Sequence, residues 1–311
     1  MGEMGLIFGP VTSRRLGLSL GVDLVPFKTC SYGCIYCQLG RTTCLTLERR
    51  QYVRGEDAIA AVRRALEGGA KPDYITLSGS GEPTLHSGIG EVIGGIRRFT
   101  DIPIAVLTNG SLLWMPEVRR DLAGASVVLP TLAAGDEEVF RTIHRPPAGL
   151  TLERVVEGMI AFRREYSGPI WLEVFLIAGV NTSPEQIEKM RGIATRIAPD
   201  RIQLNTAVRP PSEKYVRALT PEEMERIRLA FGERAETIAD FDKHREGGRR
   251  EARADDVLAS VLRHPGTAED VAAGLGIAPS DAARLLAQLQ AEGLVEAENR
   301  NGKEYFRGAT R

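Results

Sequence analysis

Cysteine is scarce in this chain of 311 residues, and the four that exist sit together, at positions 30, 34, 37 and 44. Four thiols within fifteen residues are not the spaced framework of a small secreted disulfide protein. With 43% hydrophobic residues the chain has ample material for a core without cross-links. Histidine is equally sparse. His86, His144, His244 and His264 are scattered and suggest no histidine-based metal site. No apolar run approaches the 18 residues or so of a membrane-spanning helix, and Met1 to Pro10 lacks the pattern of a signal peptide. A charge excess is also missing. The net charge of −1 gives no compositional push toward nucleic acid or a membrane surface. The expectation is a cytoplasmic protein with one large domain, or one large and one small.

What is present is a tight C-x3-C-x2-C run, Cys30, Cys34 and Cys37, just after the hydrophobic stretch Leu20 to Pro26. Thiolates select soft or borderline metals, chiefly zinc, copper(I) or iron–sulfur clusters. A structural zinc site wants four protein ligands, and a fully caged iron–sulfur cluster wants four cysteines. Three cysteines on a four-iron cube leave one iron open to a small molecule. A zinc loop or three free thiols is the plainer alternative.

Strands and helices alternate along the chain. Strands are expected at Leu18 to Val25, Tyr74 to Leu77, Ile102 to Leu107, Ser126 to Leu129, Ile170 to Ile177 and Ile202 to Thr206. Helices are expected at Glu56 to Glu67, Ile89 to Phe99, Pro116 to Leu122, Leu152 to Tyr166, Pro184 to Ala198 and Pro221 to Gly232. Met1 to Arg15 reads as a loop-like lead-in, and Thr237 to Phe241 as an added strand. Six β/α units before residue 210 predict an α/β fold, a partial (β/α)6 TIM-type barrel. Its active edge would lie at the C-terminal ends of the strands, where the cysteine loop falls.

Residues 1–241 are assigned to this barrel and the charged, glycine-containing stretch 242–255 to a linker. Residues 256–311 form a second unit. Helical patterns at Val257 to Arg263, Ala268 to Ala273 and Ser280 to Ala291 precede a strand from Gly293, a turn at Asn299 to Gly302 and a return strand at Tyr305-Phe306. This resembles a winged helix-turn-helix. Arg284 is the sole base of its third helix, and eight acids outweigh six bases from Asp256 to Arg311. Duplex binding normally shows a basic footprint. The wing does collect Arg300, Lys303, Arg307 and Arg311. DNA or RNA contact, protein or peptide contact, and simple packing all stay open.

The cysteine spacing, with Tyr36 directly before the third cysteine, resembles the signature of the radical S-adenosylmethionine (radical SAM) enzymes. After the second strand, Thr76 to His86 reads TLSGSGEPTLH, which looks like that family's glycine-rich motif, with Ser80-Gly81 in place of paired glycines. The stretch GPVTSRRLGLSLGVDLVPFKTCSYGCIYCQLGRTT is similar to the branch related to tRNA wyosine-base synthases. Those enzymes carry a second cluster on extra cysteines, and only Cys44 is spare here, which counts against wyosine formation.

The resemblance implies a [4Fe–4S] cluster on Cys30, Cys34 and Cys37, with S-adenosylmethionine on the open iron and cleaved to a 5′-deoxyadenosyl radical. It implies that Tyr36 packs beside the adenine, and that Gly79, Ser80, Gly81 and Glu82 hold the methionine amino group. Asn109 would lie near the ribose or methionine, or would simply make a turn. Glu173, mid-strand, is either a ligand contact or half of an internal salt bridge. Asn205 and Arg209 are expected near substrate or cofactor, and Asn181 lies on the same edge. Ala133 stands where such relatives often have an aspartate. Cys44 is either a hydrogen donor to a substrate radical or an idle thiol. Arg14, Arg15 and Arg41 flank the loop, and Lys28 would screen the cluster's charge. The implied partners are a low-potential electron donor of flavodoxin or ferredoxin type and a substrate that the residues do not identify, RNA and peptide among the candidates. A redox-sensing regulator reading nucleic acid through the winged helix is the competing function.

Overall fold

The structure is a computed structural model and describes residues 5–238, 254–263, 265–300 and 302–309. The barrel is built from β1 (Ile7–Ser13), β2 (Gly17–Val22), β3 (Thr29–Cys30), β4 (Cys44–Leu45), α1 (Gly55–Glu67), β5 (Tyr74–Leu77), α2 (Ile89–Arg97), β6 (Ile104–Thr108), α3 (Pro116–Asp121), β7 (Val127–Leu132), α4 (Glu137–His144), α5 (Leu152–Glu165), β8 (Trp171–Leu176), α6 (Pro184–Ile197), β9 (Arg201–Thr206), α7 (Pro221–Phe231) and β10 (Ala235–Thr237). Eight strands form one sheet in the order β1-β2-β5-β6-β7-β8-β9-β10. From β2 to β10 every neighbouring pair is parallel. The six strands expected from the sequence are its centre. Among the described residues β1 and β10 are not hydrogen-bonded to each other, so the barrel is partial.

Continuous apolar strands suit this sheet because helices cover its outer face. Ile75, Leu77, Ile104, Val106, Val128, Leu172, Val174 and Leu204 are fully enclosed. Local signals set the helix starts. Thr151 accepts from the Arg154 N–H at 3.2 Å to open α5, and Ser183 accepts from the Gln186 N–H at 3.2 Å to open α6. Thr220 and Glu223 cap α7 reciprocally.

Two expectations are corrected. The lead-in is no loop: β1 pairs antiparallel with β2 and shifts register between Phe8 and Val11. Gly9-Pro10 falls at that irregularity, and proline is tolerated on an edge strand or at a bulge, so the break in alternation hid the strand. Helix α4 is additional. Asp136 accepts from the Val139 N–H at 3.0 Å, two acids follow, and Phe140 and Ile143 point inward. The added strand lies at Ala235–Thr237, earlier than expected. Residues 239–253 and 264, with most of the expected linker and with His244 and His264, lie outside the described residues.

The C-terminal unit comprises α8 (Ala254–Arg263), α9 (Ala268–Leu275), α10 (Pro279–Ala291) and the antiparallel wing β11 (Val295–Arg300) and β12 (Lys303–Gly308). Its core is its own: Val257, Val261, Val271, Leu286, Leu289 and Phe306 are buried together, apart from the barrel core. Helices α8 and α9 pack against β1, the edge strand of the barrel.

Two helical glycines make a paired test of this packing. A Cβ on Gly158 in α5 would lie 2.3 Å from the Trp114 backbone nitrogen, whereas one on Gly192 in α6 would meet nothing within 4 Å. Gly158→Ala is expected to cost about 1–3 kcal/mol by overpacking. Gly192→Ala is expected to gain about 0.4–1 kcal/mol through helix propensity. Urea unfolding midpoints of the two variants check the opposite signs.

Candidate active site

A cavity of about 340 Å³ opens at the C-terminal ends of the parallel strands. It is lined by the cysteine loop, the glycine-rich turn after β5, the end of β6, the last residues of β9 and the segment that follows it. A volume of this order suits a nucleoside-sized ligand.

The cysteine loop and the glycine-rich turn are built as one piece. Gly81 needs to be glycine: a Cβ there would sit 1.8 Å from the Thr29 carbonyl oxygen. That oxygen accepts from the Glu82 N–H at 3.1 Å, and the Lys28 N–H donates to the Ser80 carbonyl at 2.6 Å. The loop's ends are tied by the short parallel bridge of Thr29 and Cys30 to Cys44 and Leu45. Gly79 adopts φ +70°, and a Cβ on it would lie 2.1 Å from Asp23 Oδ1.

Each of the three sulfurs has its own nitrogen donor. Asn109 Nδ2 lies 3.6 Å from Cys30 Sγ, His144 Nδ1 3.2 Å from Cys34 Sγ, and Lys28 Nζ 3.1 Å from Cys37 Sγ. Burial pushes the Cys30 thiol up to about 12, with the Glu82 charge adding to the effect. Burial and the neighbouring cysteines push Cys34 well above the usual thiol range. Three thiolates in so small a space therefore require a cation among them. Burial also pushes His144 down to about 3, so its imidazole is neutral; against a thiolate, which has no proton to give, its Nδ1–H is the donor. Tyr32 packs tilted against His144 with centroids 4.5 Å apart. Its hydroxyl is buried and finds no hydrogen-bond partner among the described residues.

Glu82 is 2% exposed. Its Oε1 accepts from the Thr84 N–H at 3.1 Å, the Thr84 hydroxyl at 2.6 Å and the Thr108 hydroxyl at 2.7 Å, and its Oε2 from the Asn109 N–H at 2.8 Å. Burial still raises its pKa above the ordinary carboxylate range. No lysine or arginine pairs with it among the described residues. A buried carboxylate of this kind is stabilised by an ammonium group brought by a ligand.

The other candidates divide. Glu173 is an internal partner: it pairs with Arg15 and accepts from the Thr131 hydroxyl at 2.7 Å and from Asn205 Nδ2 at 2.8 Å. Its carboxylate is thus engaged by protein groups, although the residue lines the cavity with Arg15 and Asn205. Tyr36 lines it too, stacked on Phe175 at 3.9 Å. Arg209 is buried on the same wall and donates to Gln38 Oε1 at 3.1 Å. Burial, with Arg14 nearby, lowers its pKa to about 9. Asn181 instead staples backbone, donating to the Ala133 and Phe175 carbonyls at 2.7 and 2.8 Å. Arg41 is exposed and pairs with Glu213 at 3.3 Å. Cys44 is exposed and lies outside the cavity lining.

Sequence reasoning missed Asp23, His144 and Arg263. Asp23 carried a signal, an acid at the end of a buried strand on the active edge. His144 and Arg263 carried none, since only the fold brings them to the site.

Among the described residues no three His, Cys, Asp or Glu side chains converge as ligands of a single metal ion. A four-iron cube needs no such convergence, because each thiolate takes a different iron. The Radical SAM superfamily model matches residues 24–194, more than half of the chain. The chain belongs to the radical SAM superfamily. The IclR helix-turn-helix domain model matches residues 252–298. Relatives include a UPF0026 protein of Methanocaldococcus jannaschii, 40% identical over 74% of this chain and 72% of that one. A UPF0026 protein of Helicobacter pylori is 33% identical over 86% and 87%. A Brachyspira hyodysenteriae protein named GTPase Obg is 39% identical over 95% of this chain, which spans only 44% of that protein's length. In fold, the chain resembles a radical SAM methyltransferase from Sphaerobacter thermophilus, with a TM-score of 0.55, 19% identity and coverage of 78% of this chain and 68% of that one. It also resembles anSMEcpe with bound AdoMet, with a TM-score of 0.51, 16% identity and coverage of 78% and 66%.

Radical SAM proteins are enzymes that use a [4Fe–4S] cluster and S-adenosylmethionine, and membership brings both cofactors to this chain. The three-cysteine set, the Tyr32 hydroxyl and the Glu82 carboxylate fit them. Donors to the thiolates stabilise the more negative, reduced cluster and raise its potential. His144→Phe and Lys28→Met are each expected to lower the reduced fraction at fixed potential about tenfold, or about 59 mV for a one-electron couple. EPR-monitored redox titration of the reconstituted protein reads this, and unchanged midpoints in both variants would refute it.

Proposed function

We propose that Cys30, Cys34 and Cys37 are the three protein ligands of a single [4Fe–4S] cluster, and that the chain cleaves S-adenosylmethionine reductively to act on a substrate in the cavity above it. When bound, the cluster supplies the electron that breaks the sulfonium and yields a 5′-deoxyadenosyl radical. The observation that carries the reading is the set of three cysteine sulfurs, each with its own N–H donor, beside a buried carboxylate that has no cationic partner among the described residues.

The residues divide the work as follows. Asn109, His144 and Lys28 donate to the three sulfurs and offset the charge gathered there. Glu82, fixed by Thr84, Thr108 and the Asn109 N–H, presents its carboxylate to the methionine ammonium. Gly79, Ser80 and Gly81 bring the backbone close to that group, and Tyr36 lies beside the adenine. Asn205 and Arg209 face the substrate side of the cavity, with Glu173 holding Asn205 in place. A flavodoxin- or ferredoxin-type protein supplies electrons.

The nucleic-acid-reading alternative is not favoured by the wing. Arg300 donates to the Val216 carbonyl at 3.3 Å, and Arg307 pairs with Glu296 at 3.3 Å and with Glu298 at 3.9 Å. Bases committed to their own chain are poorly placed to neutralise phosphates.

Anaerobically reconstituted protein with dithionite and S-adenosylmethionine is expected to release 5′-deoxyadenosine. Serine at position 30, 34 or 37 should abolish release, and Cys44→Ser should keep both iron and release. Zinc in place of iron and sulfide, or loss of iron in Cys44→Ser, would defeat the reading.

A further inference from the structure

Arg263 lies at the end of α8, 240 positions from the residue it pairs with, and its side chain is 1% exposed. It lines the cofactor cavity together with Phe8 of β1. Its Nε meets the Asp23 carboxylate, its Nη2 donates to the Gly5 carbonyl at 2.6 Å, and its Nη1 donates to the Ala259 carbonyl of its own helix at 3.2 Å. On the other side, Asp23 Oδ1 accepts from the Ser80 N–H at 2.7 Å and from the Ser80 hydroxyl at 3.1 Å. The same oxygen fills the space that a side chain on Gly79 would need. One buried carboxylate is thus held between the winged-helix unit and the glycine-rich turn.

The unit makes a second contact with the barrel. Arg300 of β11 donates to the Val216 carbonyl, in the segment after β9. The Asp270 carboxylate of the same unit opposes the lowering of the Arg209 pKa on the cavity wall. The winged-helix unit therefore touches the barrel at the β1 edge and again beyond β9.

We propose that the winged-helix unit is a wall of the cofactor cavity, and that Arg263 is a positioning residue that sets the Gly79–Ser80 turn through Asp23. This inference rests on the reading that this turn holds S-adenosylmethionine. Burial alone favours a protonated Asp23, and the Arg263 charge opposes that tendency. With Arg263 in place the carboxylate accepts both Ser80 hydrogens. Without it, the carboxylate takes up a proton or turns away, and the Ser80 N–H loses a charged acceptor. The coupling is reciprocal. A ligand that orders the turn steadies α8, and a ligand that displaces α8 loosens the turn.

The test uses full-length reconstituted protein and S-adenosylmethionine itself. Arg263→Gln and Asp23→Asn are each expected to weaken binding in equilibrium dialysis about tenfold. The double variant should be no weaker than the weaker single, and Arg263→Lys should recover part of the loss. In wild-type protein, S-adenosylmethionine should slow amide exchange both in residues 79–82 and in α8, a readout that needs no variant to fold. Wild-type affinity in Arg263→Gln, additive losses in the double variant, or protection of 79–82 with α8 unchanged would each overturn the proposal while leaving the cofactor site intact. Failure of wild-type protein to bind S-adenosylmethionine would overturn both.

Discussion

The carbonyl of Thr29 occupies the space where position 81 would carry a side chain. That contact, closed by the Glu82 N–H, presses the glycine-rich turn against the residue before Cys30. Two segments from the ends of different strands become one rigid surface, with thiols on one side and a buried carboxylate on the other. The β2–β5 parallel pairing sets their separation, because Gly21 and Val22 lie opposite Thr76 and Leu77. Any side chain at position 81 would have to push the cysteine loop away from the turn, so the site depends on this approach more than on any single hydrogen bond.

Around that surface, charge is managed by pairing inside a small cavity. Arg15 meets Glu173, Arg263 meets Asp23, and Lys28 meets the sulfur of Cys37. Buried pairs of this kind add little net stability compared with apolar packing, but removing one partner is costly because it strands the other. Their value lies in fixing positions. Glu173 orders Asn205 and Thr131, and Asp23 orders Ser80. Glu82 differs, since its partners are hydroxyls and N–H groups, which leaves room for a cation from outside the chain.

The C-x3-C-x2-C run, the TLSGSGEPTLH turn and the six apolar strands were legible because each is a local pattern of composition and spacing. Strand β1 was not, because Gly9-Pro10 interrupts its alternation at a register shift. Helix α4 carried a usable start signal in Asp136 and the acids after it, but the short stretch offered only Val139, Phe140 and Ile143 as an apolar face. The partners at the site were beyond local reading: Cys34 and His144 are 110 positions apart, and Asp23 and Arg263 are 240 apart. The wing's bases left nucleic-acid contact open in sequence, and the fold spends Arg300 and Arg307 internally. Glu173 stood open between ligand contact and salt bridge until Arg15, in a stretch read as loop, proved to be its partner.

The central claim is that three thiolates hold an iron cube whose fourth iron is left for S-adenosylmethionine. Electron–nuclear double resonance on the reduced holoprotein, with S-adenosylmethionine carrying ¹⁵N in its amino group, tests this at the atom concerned. The account predicts a hyperfine coupling from that nitrogen to the cluster spin. A cluster that binds no labelled nitrogen, with all four irons held by protein ligands, would contradict it.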